Sequence, residues 1–499
     1  MTSRSPARPV ARPGLLILTT GTMVMILSGL QTIVIPVIGD VAEQLGAPLD
    51  EVGWILTANL LGAAVSTPII GRLGDHYGKR PVILAVLAVV AAGSLAAALT
   101  TSLGVLIAAR VLQSTAYGLF PLAVGVLRDE LPDDRLLPAL ALLSALLSIG
   151  GGAGLITTGL LAADGGDYRR IFWLSLAATV LPLVMCRFVL PRRAVPPSGD
   201  GVDWWGGLLL GASLVLVLLP LSQGPDWGWL APVTVGCLAG AVLAGWAFVF
   251  VERRLPAPLV SPQLLAHRPV LVTNVAAVLL GVAAFSSFLG ISQFVQQPRA
   301  GGYGFGATVL ETSLVFLLPG TVAGVLLSPL TGRFMHRYGA RPLLAGATAI
   351  GGVSFLTLTV WHAQPWQLVV FGTVSSVGNG IAFAAIPSLL VRYVDRSQTG
   401  VATGIASIGR SVGSSVASAL AATLIASVLA TDSGRTSVVA YQAIFLVGAG
   451  SFLTITAVAL IGLPRQPVRP VIGRPSTDPV GPTLLDTGSR RVAGDRPAR

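Results

Sequence analysis

Fourteen long apolar runs constrain this chain more than any other feature. An α-helix needs about 20 apolar residues to cross a bilayer, and each run is close to that length or longer. Only 11% of the 499 residues are charged, whereas a soluble protein usually carries about 25%. Because the strands of a transmembrane barrel have only about 10 residues, the sequence predicts an all-α integral membrane protein with fourteen transmembrane helices. These spans, numbered 1 to 14 in chain order, lie near residues 14–38, 51–70, 81–100, 104–127, 136–161, 171–190, 203–222, 229–251, 270–292, 308–330, 341–361, 367–391, 402–430 and 440–463.

The basic residues are distributed unevenly between the two ends of the spans. Of the 32 basic residues, 26 fall in the N-terminal segment, alternate loops and the C-terminal tail; the other loops hold four, and Arg110 and Arg410 lie inside spans. Cytoplasmic loops carry an excess of Lys and Arg, so we expect both termini in the cytoplasm and the protein in the cell membrane. This arrangement explains the net charge of +11 without a nucleic-acid partner.

A repeated sequence divides the chain into two halves. GRLGDHYGKRP at 71–81, the first signature, recurs as GRFMHRYGARP at 332–342, the second signature. They lie in the loops after spans 2 and 10, so each half has six spans once spans 7 and 8 are set aside. Transporters build a central site between such duplicated halves. The predicted domains are a cytoplasmic segment 1–13, an N-terminal six-helix bundle 14–190, a linker region 191–269 with spans 7 and 8, a C-terminal six-helix bundle 270–463 and a disordered cytoplasmic tail 464–499.

These motifs resemble those of the major facilitator superfamily, and more narrowly its fourteen-span drug:proton antiporter branch. The first signature is similar to the loop signature of the superfamily, RVLQ at 110–113 to that of the fourth span, and GGGAGLITTG at 150–159 to that of the fifth. LSQGPDWGW at 221–229 and GVATGIASIGRSVG at 400–413 also look like this branch. The resemblance implies two six-helix bundles plus two additional helices. It also implies multidrug-type export of small molecules, coupled to proton entry, by alternating access.

Three positions depart from the pattern of the branch. Leu155 stands where the fifth-span signature usually has proline, and Thr158 replaces one of its glycines. Leu30 stands where the first span often carries Asp, and the polar character nearby rests on Gln31 and Thr32. The proton-coupling residue therefore cannot be transferred from the first-span signature.

The first signature is predicted to act as a conformational latch. The resemblance implies that its single acid, Asp75, bonds to Arg and to a helix N-terminus of the opposite half, for which the start of span 13 is the candidate. A helix N-terminus typically attracts a carboxylate by about 0.3–1 kcal/mol. Local charge balance is the alternative role, and the second signature has His336 in place of Asp75. The predicted latch residues are Gly71, Arg72, Asp75, Gly78, Lys79 and Arg80.

Two arginines inside spans are predicted to lie on the substrate or proton pathway. An ionised Arg at the bilayer centre costs at least about 2.5 kcal/mol, so it usually faces a cavity or a partner. Arg110 joins Gln113 and Gln31 in this prediction, with snorkelling to the surface as the alternative. Arg410 has either a cavity-facing or a structural pairing role. Because no acid lies deep in a span, we expect neutral or anionic amphipathic substrates.

Three glycines of span 5 are predicted to lie near one helix face. Gly150, Gly154 and Gly159 are about four residues apart, a spacing that lets another helix approach closely. They are predicted to serve either helix packing or a gate.

Glu311 is the predicted coupling acid. Proton antiport needs a group that binds a proton on one side and releases it on the other. Glu311 lies about one turn inside the outer end of span 10, where partial desolvation would favour its protonated form. The alternative is an exposed carboxylate that stabilises a helix N-terminus.

Other classes of function receive little support. Residues 409–413 fit G-x-S-x-G, but that motif needs a strand-to-helix elbow and here lies in an apolar helical run. Four scattered histidines offer no metal spacing, and no phosphate-binding loop is present, so we expect no enzyme, cofactor or metal. The sequence predicts a monomeric secondary transporter in the lipid bilayer that binds a small molecule and protons. A uniporter or importer, and a non-transporting membrane sensor or scaffold, are the alternatives.

Overall fold

The fourteen predicted spans are helical in the structure, a computed structural model that describes residues 13–34, 37–162, 166–192, 203–255, 266–299, 303–308, 311–395, 398–429 and 438–464. Thirteen helices of this described part are long and apolar enough to cross a membrane, and span 10 combines a π-helical and an α-helical segment. Spans 1 to 7 are Pro13–Thr32, Leu49–Tyr77, Lys79–Leu99, Leu103–Ser114 continuing through Thr115–Gly118 into Leu119–Glu130, Asp133–Ala162, Arg169–Val189 and Trp204–Trp227. Spans 8 to 14 are Pro232–Glu252, Arg268–Gln296, Thr312–Leu317 with Leu318–Tyr338, Ala340–Val360, Pro365–Tyr393, Thr399–Leu429 and Val438–Gly462. The predicted tail falls outside the described residues, except for residue 464.

Both signatures are helical for most of their length, whereas the sequence predicted loops. Span 2 continues to Tyr77 and span 3 begins at Lys79, so Gly78 alone connects them. Gly78 has φ 94° and Gly339, which joins spans 10 and 11, has φ 90°, a region that favours glycine. The loop prediction failed because the length of an apolar run reports the thickness of the bilayer, while the helix continues past the membrane surface.

The two six-span halves repeat the same packing. Span 1 packs on span 5 and span 3 on span 6, while in the second half span 9 packs on span 13 and span 11 on span 14. Glycines bring the first pair of each half together. A Cβ on Gly150 would overlap the carbonyl oxygen of Met25, and a Cβ on Gly413 would overlap that of Val278. Small residues of this kind let helix backbones approach closely in a membrane.

The halves meet along two seams. Span 2 packs against span 13, and span 5 packs against span 10; we call these the 2/13 seam and the 5/10 seam. In each case the second span of one half faces the fifth span of the other, so the seams are equivalent by the internal repeat. The end of the bundle that carries both signatures is called the signature side.

Spans 7 and 8 lie against one seam. They pack on each other, and span 7 also packs on spans 2 and 13. Span 8 exposes large apolar side chains, including Val242 at 72% and Trp246 at 66% exposure. A continuous apolar surface of this kind suits lipid rather than water.

Candidate functional site

The carboxylate of Asp75 lies at the N-terminus of span 13. The backbone N–H of Val401 donates to Asp75 Oδ2 at 3.3 Å, and the Asp75 side chain is only 1% exposed. The two helices approach closely because both carry glycine at the contact: a Cβ on Gly71 would lie 2.8 Å from the carbonyl oxygen of Gly400. The structure thus places Asp75 and Gly71 against the helix start that the sequence indicates.

Lys79 connects the end of span 2 to span 4. Its Nζ lies 2.6 Å from Asp129 Oδ2 and 3.9 Å from Asp75 Oδ1. Gly125 leaves room for this side chain, since a Cβ there would overlap the Lys79 stem. Arg72 has a buried Nε without a hydrogen-bond partner in the part of the chain that the structure describes. Lys79 therefore lies between the carboxylates of Asp75 and Asp129 and connects the first signature to span 4 of its own half.

Arg80 and Arg341 hold equivalent positions in the two signatures and make equivalent bonds. Arg80 Nη2 donates to the carbonyl of Arg187 at 2.7 Å, near the end of span 6. Arg341 Nε donates to the carbonyl of Ala459 at 3.2 Å and its Nη2 to that of Leu460, near the end of span 14. The last carbonyls of a helix lack partners within the helix, so each arginine caps the sixth span of its own half. Arg80 therefore bonds within its half and not across the seam.

The second signature contacts the other half without a carboxylate. A Cβ on Gly332 would lie 2.6 Å from the Cα of Pro138 in span 5. His336, at the position of Asp75, is exposed. Among the described residues, packing supports this contact, whereas the first signature adds a charge at a helix N-terminus.

Arg128 is a functional candidate that the sequence analysis missed. It is 8% exposed at the end of span 4 and donates to the carbonyls of Val391 at 2.6 Å and Asp395 at 3.1 Å, and to Thr399 Oγ1. Arg128 thus joins the first half to the junction between spans 12 and 13. In the sequence it is one basic residue among many on the inner side, and no pattern separates it from a snorkelling side chain.

A cavity with two lobes lies between the halves. The polar lobe has a volume of about 600 Å³ and the apolar lobe about 500 Å³. Ligand sites typically measure about 300–1,000 Å³, so each lobe can hold part of a small molecule. The lobes adjoin at shared lining residues from spans 1, 5, 9 and 13, which are Thr32, Gly151, Ala284, Phe285 and Ser414.

Arg110 is buried on one wall of the polar lobe, with 1% exposure. Its Nη1 donates to Gln113 Oε1 at 2.8 Å, and Gln113 Nε2 donates to Ser94 Oγ at 2.9 Å. Asn59 Nδ2 holds the backbone by donating to the Arg110 carbonyl at 3.0 Å. Arg110 Nε and Nη2 have no hydrogen-bond partner among the described residues. This burial differs from snorkelling and leaves guanidinium donors for an acceptor in the cavity.

Arg410 lies on the wall that the second half contributes to the same lobe. Its Cζ lies 4.7 Å from the centroid of the Phe383 ring, a cation–π geometry. Tyr117 and Gln31 also line the lobe. The described lining contains no Asp or Glu. The lobe therefore presents hydrogen-bond donors and positive charge to its contents.

The apolar lobe lies along the 5/10 seam. Its lining includes Ile149 and Ile156 of span 5 and Phe316 and Leu327 of span 10. The polar groups that the structure describes there are hydroxyls and the amide of Asn379. A hydrocarbon or aromatic body buried in this lobe gains about 25 cal/mol per Å² of apolar surface removed from water.

Gly150 and Gly154 of span 5 face span 1. A Cβ on Gly150 would overlap Met25, and one on Gly154 would overlap the carbonyl of Gly29. Both contacts join backbones within one half, which favours the packing interpretation over a gate. The surroundings of Gly159 lie outside the described part of the structure.

Glu311 forms a reciprocal cap at the start of span 10. The Thr308 N–H donates to Glu311 Oε2 at 2.9 Å, and the Glu311 N–H donates to Thr308 Oγ1 at 3.2 Å. This is the arrangement of a capping box. Glu311 is exposed and belongs to the described lining of neither lobe. Its geometry matches the helix-stabilising alternative.

The described residues contain no group of three His, Cys, Asp or Glu side chains that could hold a metal ion. Residues 409–413 lie within the helix of span 13, so Ser411 does not occupy a strand-to-helix elbow. The hydrolase motif is therefore a coincidence of sequence.

Comparison with known proteins agrees with this architecture. The chain is 26% identical to the triacylglyceride transporter of Mycobacteroides abscessus over 401 residues, 77% of each protein. It is 29% identical to the tetracenomycin C resistance and export protein of Streptomyces glaucescens over 350 residues, 69% of this chain and 63% of that protein. Its fold is similar to that of the human organic anion transporter MFSD10 (TETRAN), with a TM-score of 0.64 and 17% identity over 91% of this chain and 100% of that one.

The family model gives the decisive match. The model of the Major Facilitator Superfamily matches residues 20–297 and again residues 271–494, so both halves are covered. A transporter of this family requires a multi-pass helical bundle with a cavity between repeated halves. The family match and the named relatives indicate a transporter and not an enzyme. The chain therefore belongs to the major facilitator superfamily.

Proposed function

We propose that this transporter exports small amphipathic molecules in exchange for protons by alternating access. It works as a monomer in the cell membrane, with both termini in the cytoplasm. The observation that carries the proposal is the position of Arg110 and Arg410 on walls of one lobe that come from opposite halves. A molecule bound to both arginines is held by both moving bodies, so its binding is coupled to their rocking.

The lining of the two lobes supports an amphipathic substrate with a neutral or anionic head. Arg110 and Arg410 offer donors to the head, and the apolar lobe accepts the body. A cationic substrate would meet two positive charges and no described carboxylate in the polar lobe. Relatives named as a triacylglyceride transporter and as an export protein support apolar cargo and the export direction.

The contacts between the halves support an outward-facing state. Asp75 and Arg128 bond to the second half on the signature side, which the charge distribution predicts to be cytoplasmic. In this state the Asp75 contact is the latch that keeps the cytoplasmic side closed. Rocking towards the inward-facing state must break the bond between Asp75 and Val401.

Proton coupling is proposed to act on this latch. The described lining of the cavity contains no carboxylate, so a coupling group is sought at the contacts between the halves. Protonation of Asp75 would remove the negative charge that the N-terminus of span 13 attracts and so favour opening. Glu311 is the second candidate for the proton-coupling group. Replacing Asp75 and Glu311 in separate variants shows which of the two carboxylates the response to a pH gradient requires.

The test uses purified protein in liposomes with and without a pH gradient. Three fluorescent probes report the substrate class: anilinonaphthalene sulfonate is anionic, phenylnaphthylamine is neutral and ethidium is cationic. We expect gradient-dependent movement of the anionic or neutral probe, and its loss in Arg110→Ala at matched protein level. Probe movement that does not depend on the pH gradient would indicate a uniporter. Gradient-driven movement in the opposite direction would indicate an importer, and no movement of any probe would indicate a sensor or scaffold.

A further inference from the structure

The two seams are equivalent by the internal repeat, but among the helices that the structure describes, an additional span packs closely on the 2/13 seam only. Span 7 packs on span 2 through glycines: a Cβ on Gly211 would lie 2.9 Å from Val65, and one on Gly207 would lie 3.2 Å from Ile69. In the described residues, span 7 makes its extensive contacts with spans 2, 8 and 13, and span 8 makes its extensive contacts with span 7. The bundle is therefore asymmetric at its lateral faces.

Contacts of the additional spans with the 2/13 seam occur at three heights. On the signature side, Phe248 of span 8 clusters with Val401 of span 13. Near the polar lobe, the hydroxyls of Thr57 and Ser222 are 3.0 Å apart, and Ser222 itself lines the lobe. After span 7 ends, Trp229 Nε1 donates to Thr423 Oγ1 at 3.2 Å. Span 7 thus forms part of the cavity wall and separates the 2/13 seam from lipid.

The apolar lobe runs along the other seam for most of the bilayer depth. Its lining on span 10 extends from Ser313 to Thr331, which corresponds to about 27 Å of helix, close to the hydrocarbon thickness of about 30 Å. A Cβ on Gly324, which lines the lobe, would meet no atom of the described residues within 4 Å. Ala153 of span 5 and Leu327 of span 10 line the lobe and are exposed.

We propose that the 5/10 seam is a lateral entrance that connects the apolar lobe to the bilayer, while span 7 keeps the 2/13 seam closed. The substrate class it admits is a membrane-resident anionic amphiphile. Its chain enters between spans 5 and 10, and its head reaches Arg110 and Arg410. This inference rests on the proposed transport function and adds a route and a preference for long apolar chains.

Filling the seam tests the route. Gly324→Trp places an indole in the open space of the lobe, and Leu326→Trp on the same span is the matched control because Leu326 is 71% exposed and does not line the lobe. Two fluorescent probes share an anionic carboxylate head: NBD-stearate resides in the membrane, and NBD-hexanoate dissolves in water. We expect Gly324→Trp to lower the ratio of stearate to hexanoate transport at least tenfold, and Leu326→Trp to leave the ratio at the wild-type value.

A proportional loss of both probes in Gly324→Trp, or an unchanged ratio, would overturn the lateral entrance but not the transport function. Failure of the wild type to move either probe would refute the proposed function instead.

A second measurement does not depend on transport. In a Cys186→Ala, Cys237→Ala background, a nitroxide is attached at Leu327→Cys, Leu326→Cys or Ser222→Cys, and its collisions with lipid-soluble oxygen and a water-soluble nickel chelate are compared. A lateral entrance gives Leu327 the oxygen preference of lipid-facing Leu326. A chelate preference at Leu327 that matches Ser222 would show that the lobe opens to water only.

Discussion

The two signatures share a backbone and differ in chemistry. Both end a helix, turn at a glycine with positive φ and direct an arginine to the end of the sixth span of their own half. Only the first adds a buried carboxylate at a helix N-terminus of the opposite half. The identical glycine and arginine positions therefore build the fold in both copies, and one of the five positions that differ, Asp75 against His336, creates a charged contact between the halves.

This difference makes the two seams unequal. The 2/13 seam has the Asp75 contact and the cover of span 7, whereas the described contacts of the 5/10 seam are packing contacts such as Gly332 on Pro138. In an alternating-access cycle both seams must rearrange. The comparison predicts that charge controls the first seam and side-chain volume the second.

The largest expected effect comes from replacing the residue at the position where the first signature carries Asp75 and the second carries His336. Asp75→Asn keeps the shape of the side chain but removes the charge, which in a partly buried site is worth up to about 2 kcal/mol, a factor of roughly thirty in an equilibrium constant. We expect at least a tenfold loss of transport rate in liposomes. His336→Gln, the matched change in the second signature, should stay within about twofold of wild type.

Equal rates for Asp75→Asn and wild type at matched insertion would refute the latch. A similar loss in His336→Gln would show that the two signatures are functionally equivalent after all.

A second expected effect compares the cavity arginines of the two halves. Arg110 uses its planar fork, because one nitrogen bonds to Gln113 while others remain for the cavity. Lysine cannot reproduce this geometry, so Arg110→Lys should be about as inactive as Arg110→Ala. Arg410 contributes a cation over the Phe383 ring, which lysine can also supply, so Arg410→Lys should lose only about two- to threefold. Initial transport rates with the anionic probe measure both effects. An active Arg110→Lys variant would show that transport does not need the planar guanidinium of Arg110.

The sequence predicted the parts of the molecule that follow from periodicity and repetition. Apolar length located fourteen spans, and the repeat divided twelve of them into two halves. The resemblance to the superfamily, rather than the repeat, directed Asp75 towards a helix N-terminus of the opposite half. Burial and partners of individual side chains could not be predicted in the same way. Arg110 interrupts an apolar run and is therefore conspicuous in the sequence, whereas Arg128 follows the end of a run like many other basic residues and nevertheless bonds to the second half. Only tertiary packing reveals a contact of this kind.

A smaller effect tests what the signatures share. Arg80→Gln and Arg341→Gln each remove a charged donor from the last carbonyls of a sixth span. Exposed hydrogen bonds of this kind contribute about 1 kcal/mol, so each variant should lower the midpoint of thermal unfolding by about 1–3 °C with transport nearly intact. Intrinsic tryptophan fluorescence in detergent measures the shift. A strong transport defect in Arg80→Gln with none in Arg341→Gln would indicate that Arg80 acts in the latch, as the sequence analysis predicts.

The smallest effect is expected at Glu311, and it decides where proton coupling lies. A capping box accepts glutamine in place of glutamate, so Glu311→Gln should keep both stability and the response to a pH gradient. Glu311→Ala removes the bond to the Thr308 N–H, and loss of a cap costs about 0.5–2 kcal/mol, so this variant should be less stable but still coupled. If Glu311 carries the proton instead, both variants lose gradient-driven transport while exchange of the probe without a gradient persists. Measuring Asp75→Asn in the same assay separates the two carboxylates, because a coupling role for Asp75 requires the pH response to vanish there and to survive in Glu311→Gln.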